Sequence, residues 1–191
     1  MLLELIPSDA SSPLSVSERD LAALAACERG TILLDVSARA DATLMTLTGT
    51  NGRIALELRG GRLYGEQVLG ADGSPAAGDG VERRILDAED ALGLDDGRPH
   101  TIALSVNETG THLYADGYEC FSTTLAAFLA QIGLTGVSID PDGIAEVTRL
   151  AVWAEPLSDR AVMAQSLAAT PMVQFAASEL SARDARRTGA L

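Results

Sequence analysis

Between residues 31 and 68, apolar and polar side chains alternate with a period of two in four short runs, at 31–39, 43–48, 53–59 and 62–68. That period lets a strand bury one face and wet the other, so the runs predict consecutive antiparallel strands. Asn51-Gly52 and Gly60-Gly61 separate the later runs, and such pairs supply the positive φ of tight hairpin turns. Further strand patterns occupy 81–86, 100–106, 111–116 and 144–154, with Asp95-Asp96-Gly97 and residues 107–110 as turns. Helical signals are fewer. Ser17 and Asp20 form a capping pattern ahead of helix formers that run to Cys27, before Gly30. Residues 124–132 and 158–168 read as two more short helices, and the glycine-rich stretch 70–80 reads as a surface loop. The pattern predicts an all-β protein, a two-sheet antiparallel β-sandwich of jelly-roll type with short N-terminal, internal and C-terminal helices. Its body spans 17–169, with an extension at 1–16 and a tail or linker at 170–191.

Composition narrows the partners. The chain has 191 residues, enough to bury a core without a metal or disulfide, and 27 acidic against 14 basic side chains give a net charge of −13. Every basic residue is arginine. A sequence pI near 4.4 argues against nucleic acid and anionic membrane surfaces, which need clustered positive charge. Residues 155–191 are charge-balanced, so the whole excess lies on 1–154. Cys27 and Cys120 have no CxxC spacing and are read as one long-range disulfide or two buried thiols. The first residues lack a basic, then apolar, leader and no stretch approaches the ~20 apolar residues of a membrane span. As it stands the chain is expected in the cytoplasm, or outside the cell if an export signal has been removed; the oligomeric state is open.

Three ordered segments carry a family resemblance. Asp96-Gly-Arg-Pro-His-Thr-Ile-Ala-Leu104 resembles the D-G-x-W-H-x-[VI]-A-L signature of concanavalin A-like and laminin-G-like sandwiches, and Thr111-His-Leu-Tyr-Ala-Asp-Gly117 resembles their L-Y-[VA]-[DN]-G hairpin. Ile144-Ala-Glu-Val-Thr-Arg-Leu-Ala-Val-Trp153, followed by Pro156-Leu-Ser-Asp159, is similar to their closing strand and its exit. Within that superfamily, Gly30-Thr-Ile-Leu-Leu-Asp-Val-Ser37, Ala42-Thr-Leu-Met-Thr-Leu-Thr48 and Gly52-Arg-Ile-Ala-Leu-Glu-Leu-Arg59 resemble strands of the lectin-like N-terminal domain of sialidases. The resemblance covers roughly 17–169. Pro99 stands where the superfamily usually has tryptophan, and only 4% of residues are aromatic although sugar sites commonly stack a ring.

The resemblance implies a sialic acid site built on Glu57 and Arg59. The spacing suits the chemistry, because residues i and i+2 share a sheet face, where a guanidinium can grip a sugar carboxylate while the glutamate accepts hydrogen bonds. It also implies a second arginine, for which Arg149 is the candidate and Arg53 and Arg62 are weaker ones. Tyr118 is a candidate for contact with the sugar, Tyr114 reads as core, and Met45 and Thr46 match a strand that lines the family site. His100 and His112 could pair on one hairpin, although His100 matches a structural position of the superfamily. Asp140 and Asp142, and the Asp95-Asp96-Gly97 turn, resemble calcium-binding turns, so calcium is possible, while Asp-Gly pairs are also ordinary turn chemistry.

Enzymatic signatures are missing: there is no G-x-S-x-G, P-loop, G-x-G-x-x-G, H-E-x-x-H or CxxC, and nothing of a sialidase catalytic propeller. The sequence therefore points to a non-catalytic, lectin-like domain for sialic acid or a related acidic glycan. The alternative is a standalone enzyme, a cyclase, lyase or hydrolase, using the cavity of the same sandwich. A sandwich that binds a protein would be marked by a large exposed apolar patch.

Overall fold

The computed structural model describes residues 1–7, 14–70, 82–88 and 92–169. In chain order the elements are β1 (Leu3–Leu5), α1 (Glu18–Ala25), β2 (Gly30–Ser37), β3 (Ala42–Gly49), β4 (Gly52–Arg59), β5 (Arg62–Leu69), β6 (Glu82–Asp87) and β7 (His100–Asn107). They continue with β8 (Gly110–Ala115), β9 (Tyr118–Thr123), α2 (Leu129–Ile132), β10 (Leu134–Ile139), β11 (Glu146–Trp153) and α3 (Asp159–Ala169). A six-stranded antiparallel sheet, in the order β1-β11-β2-β7-β8-β9, faces a five-stranded one, β10-β3-β4-β5-β6. The two-sheet sandwich expected from the alternation is present.

The inward positions follow that alternation. Ile32, Leu34 and Val36 of β2 meet Ile102, Leu104 and Val106 of β7 on the inner face of one sheet, and Ile54, Leu56 and Leu58 of β4 face them from the other. β2 and β7 differ from ordinary half-buried strands, because their outer positions are buried too. The cause is α3, whose Val162 packs with Leu33, Ala103 and Tyr114, flanked by Trp153 and Leu157, across the outside of the six-stranded sheet. Tyr114 Oη donates to Asp159 Oδ1 at 2.8 Å and pins the start of that helix. We refer to this as the helix-covered sheet and to its partner as the open sheet, on whose outer face no described helix packs.

The ends of the elements are set locally. Ser17 caps α1 by accepting from the Asp20 backbone N–H, as the capping pattern predicts. The internal helix expected over 124–132 forms only at Leu129–Ile132. Phe128 is extended and donates its N–H to Gln131 Oε1, and Gly133 ends the turn in the left-handed region at φ 62°. This single turn plugs one end of the sandwich with buried Phe128, Leu129 and Ile132. The β3–β4 hairpin docks against it so closely that a Cβ on Gly49 would lie 2.0 Å from the Ile132 carbonyl oxygen.

Three strands escaped the sequence pattern. β1 comes from the N-terminal extension and pairs with β11, β9 is an edge strand with no fully buried residue, and β10 is interrupted by a register shift at Gly136. The glycine-rich segment at 71–80 and the tail at 170–191 lie outside the described residues. Cys27 and Cys120 are both free thiols, and burial pushes the Cys120 thiol up to about 11. Phe128→Ala should cost about 3–5 kcal/mol of folding free energy, because it empties a fully buried site at the sandwich end. Urea unfolding of the two proteins measures this, and a loss below 1 kcal/mol would contradict the packing described.

Candidate functional site

The outer face of the open sheet is laid out by one turn. Gly60 and Gly61, with φ of 57° and 72°, make the two-residue hairpin between β4 and β5. Counting outward from it, Arg59 stands opposite Arg62, Glu57 opposite Tyr64, Ala55 opposite Glu66 and Arg53 opposite Val68. β6 extends these rows with Asp87 beside Tyr64, Ile85 beside Glu66 and Arg83 beside Val68, while β3 adds Thr43, Thr46 and Thr48 on the far side. Four arginines and three acids thus share one face of a protein that carries −13 overall.

Two clusters organise these charges. Near the turn, the Arg59 guanidinium donates to Glu57 Oε2 from Nε at 2.8 Å and Nη2 at 2.6 Å, and its carbon lies 3.7 Å from the centre of the Tyr64 ring. Carboxylate and ring together fix the plane of an otherwise flexible side chain whose outer surface is half exposed. The hydrogen bond that Arg59 donates to Glu57 raises the Arg59 pKa further above its usual value, so the charge is permanent. Toward the other end of the strands, Glu66 receives Arg53 Nη2 on one carboxylate oxygen and Arg83 Nε on the other. Burial opposes the Glu66 charge, but the two guanidinium hydrogen bonds win and hold its carboxyl below the usual range.

No protein-family model matches the chain, and no curated protein sequence matches it. Solved structures do. The Ruminococcus gnavus IT-sialidase CBM40 superposes with a TM-score of 0.64 at 17% identity, over 86% of this chain and 98% of that one. The same module bound to alpha2,3 sialyllactose gives 0.60 at 17% identity, again over 86% and 98%. The leech intramolecular trans-sialidase complexed with 2,7-anhydro-Neu5Ac gives 0.56 at 15% identity, covering 85% of this chain and 28% of that enzyme. The chain has the fold of a sialidase CBM40.

Against that fold, the residues singled out in the sequence separate into two groups. Glu57, Arg59 and Thr46 lie on the outer face of the open sheet, with Arg53 and Arg62 on the same face. Met45 is fully buried, because a register shift between Thr43 and Met45 turns it inward opposite Leu56. Arg149 is on β11 in the helix-covered sheet and is not brought to Glu57 and Arg59. Its Nε donates to Glu4 Oε1 at 2.9 Å, its Nη2 to Gln165 Oε1 at 2.9 Å, and its Nη1 lies 3.7 Å from Asp35 Oδ2, which ties β1, β2 and α3 together. Burial raises the Asp35 pKa even though Thr101 and Arg149 oppose the rise. Tyr118 is 69% exposed on the edge strand of that same sheet, also away from Arg59. Tyr64, Glu66 and Arg83 were not singled out from the sequence.

The remaining polar candidates are engaged elsewhere. Asp140 Oδ1 accepts the backbone N–H groups of Ile144 and Ala145, both at 3.0 Å, and no group of three metal-ligating side chains gathers among the described residues. Ser105, five residues from His100, is what faces His112, so the two histidines sit roughly 16 Å apart along the strands. His112 bonds Glu119 and Thr109. His100 stands between Asp116, 2.8 Å from Nδ1, and Asp96, 3.2 Å from Nε2. The hydrogen bond to Asp116, against the effect of burial, raises its pKa, since an imidazolium can donate to both carboxylates at once.

A histidine with a raised folded-state pKa stabilises fully below its unfolded value of about 6.5, and that contribution fades as pH rises through the folded value. The Asp116 carboxyl, disfavoured by burial but lowered overall by His100 and the Thr101 backbone, acts in the opposite sense and loses its contribution as pH falls through its own range. Stability should therefore decline on going from pH 6 to pH 8, and His100→Gln should flatten that slope in thermal melts. An identical slope in wild type and variant would rule out the His100 contribution.

Proposed function

We propose that the outer face of the open sheet binds terminal sialic acid, or a related acidic sugar, without chemically transforming it. The observation that carries this reading is the Glu57–Arg59–Tyr64 cluster on a sheet face that no described helix covers. Arg59, held flat on Tyr64 by Glu57, presents a planar fork of donors that matches a sugar carboxylate, and the second oxygen of Glu57 can accept from a hydroxyl or amide. Its preset plane spares part of the entropy a free arginine would lose on binding. The shared fold supports the reading, since similar modules have been solved with sialyllactose bound.

A hydrolytic reading is less well supported by the same face. A glycosidase needs one carboxylic acid whose pKa is raised so that it can donate a proton. Of the three acids here, Glu57 accepts from Arg59, Asp87 lies 3.9 Å from the Arg62 guanidinium, and Glu66 is held ionised between two guanidinium groups.

Calorimetric titration with N-acetylneuraminic acid and sialyllactose, with galactose as control, tests the proposal. Arg59→Ala should weaken both acidic ligands by about tenfold to a hundredfold, the range for a lost charged hydrogen-bonding partner, with the fold intact by circular dichroism. Tyr118→Ala should leave the affinity as it is. Unchanged binding in Arg59→Ala, or no binding of either acidic sugar by the wild type, would refute the assignment.

A further inference from the structure

We infer that the same face holds a second anion-binding point, Arg53–Glu66–Arg83, and that the ligand is an oligosaccharide with a second carboxylate or sulfate group; this rests on the reading above. One carboxylate between two guanidinium groups leaves a local excess of one positive charge. Arg53 and Arg83 come from β4 and β6 on either side of β5, and each bonds a different oxygen of Glu66. Glu66 is only 7% exposed, so its role is to hold both forks in place, while the Arg83 and Arg53 side chains remain 65% and 37% exposed. Among the described residues, Glu66 is the sole partner of both arginines; Arg53 Nε is buried without an acceptor, so the donors Arg53 can offer a ligand are on its Nη atoms. A guanidinium carries five donors, so both groups keep N–H bonds to offer an incoming oxyanion.

The spacing sets the size of the ligand. Arg53 and Arg83 stand in the Val68 row, but their guanidinium groups meet on Glu66, two residues along β5 from Tyr64, so the second point lies roughly 7 Å or more along the strand from the ring that holds Arg59. A single carboxylate does not bridge that distance. Ile85, 40% exposed in the Glu66 row, borders this second point and gives an apolar surface on which the C–H face of a ring can rest. Two anion points with an apolar side chain beside the second suit a chain of acidic sugars lying along the strands, or a sialylated glycan with a sulfate ester farther down.

The test compares N-acetylneuraminic acid, an α2,8-linked trisialic acid and a sulfated sialyllactose at one ionic strength. In the wild type at least one of the two multiply charged probes should bind ten times or more tighter than the monosaccharide, and which one does so identifies the second group. Arg83→Gln should abolish that gain and leave the monosaccharide affinity in place, with thermal melts confirming the fold. Equal affinities for all three in the wild type would overturn the second point while leaving the Arg59 site standing. Equal weakening of all three by Arg83→Gln would overturn it as well, because the two clusters would then act as one. If no acidic probe binds, both readings fall.

Discussion

Burial of the outer face of one sheet by α3 is the constraint on which the rest of the molecule depends. A sandwich hides the inner face of each sheet by construction, but here Leu33, Ala103 and Tyr114 are also buried on the outside of the six-stranded sheet, beneath Val162. Polar groups buried beside that helix have to be paired, and Asp35 and Arg149 are, Arg149 also reaching Gln165 of α3 and Glu4 of β1. Among the described residues, no helix sets such a demand on the arginines of the open sheet. They can hold a partial charge balance with their neighbours and still keep donors for a ligand.

The second consequence is electrostatic. A protein with a charge of −13 repels an acidic glycan at long range, and that repulsion is screened beyond about a Debye length. Recognition then falls to contacts within a few ångströms, where the order of charges along the strands matters more than their sum. On the open face the acids serve as supports: Glu57 orients Arg59, and Glu66 orients Arg53 and Arg83.

The sequence carried part of this arrangement. Parity along β4 was enough to put Glu57 and Arg59 on one face, and the Gly60-Gly61 turn contained the information that sets Tyr64 opposite Glu57, since a two-residue hairpin fixes register. Met45 misled because a bulge breaks parity within β3, a single irregularity that exchanges inside for outside. Arg149 misled for a different reason. Parity says which way a side chain points from its strand but not which sheet the strand joins, and β11 joins β2 rather than the sheet that contains Arg59. Arg83 was out of reach, because the long segment between β5 and β6 sets no register from sequence. β10 lacked a clean alternation through Gly136 and went unseen although it completes the open sheet.

The most direct measurement is the mapping of backbone amide shifts on titration with sialyllactose. Perturbed amides should cluster on the open sheet, around Glu57, Arg59 and Tyr64, and fade across β11 and α3. A cluster around Arg149 and Tyr118 on the helix-covered sheet, or no perturbation at saturating ligand, would contradict the account.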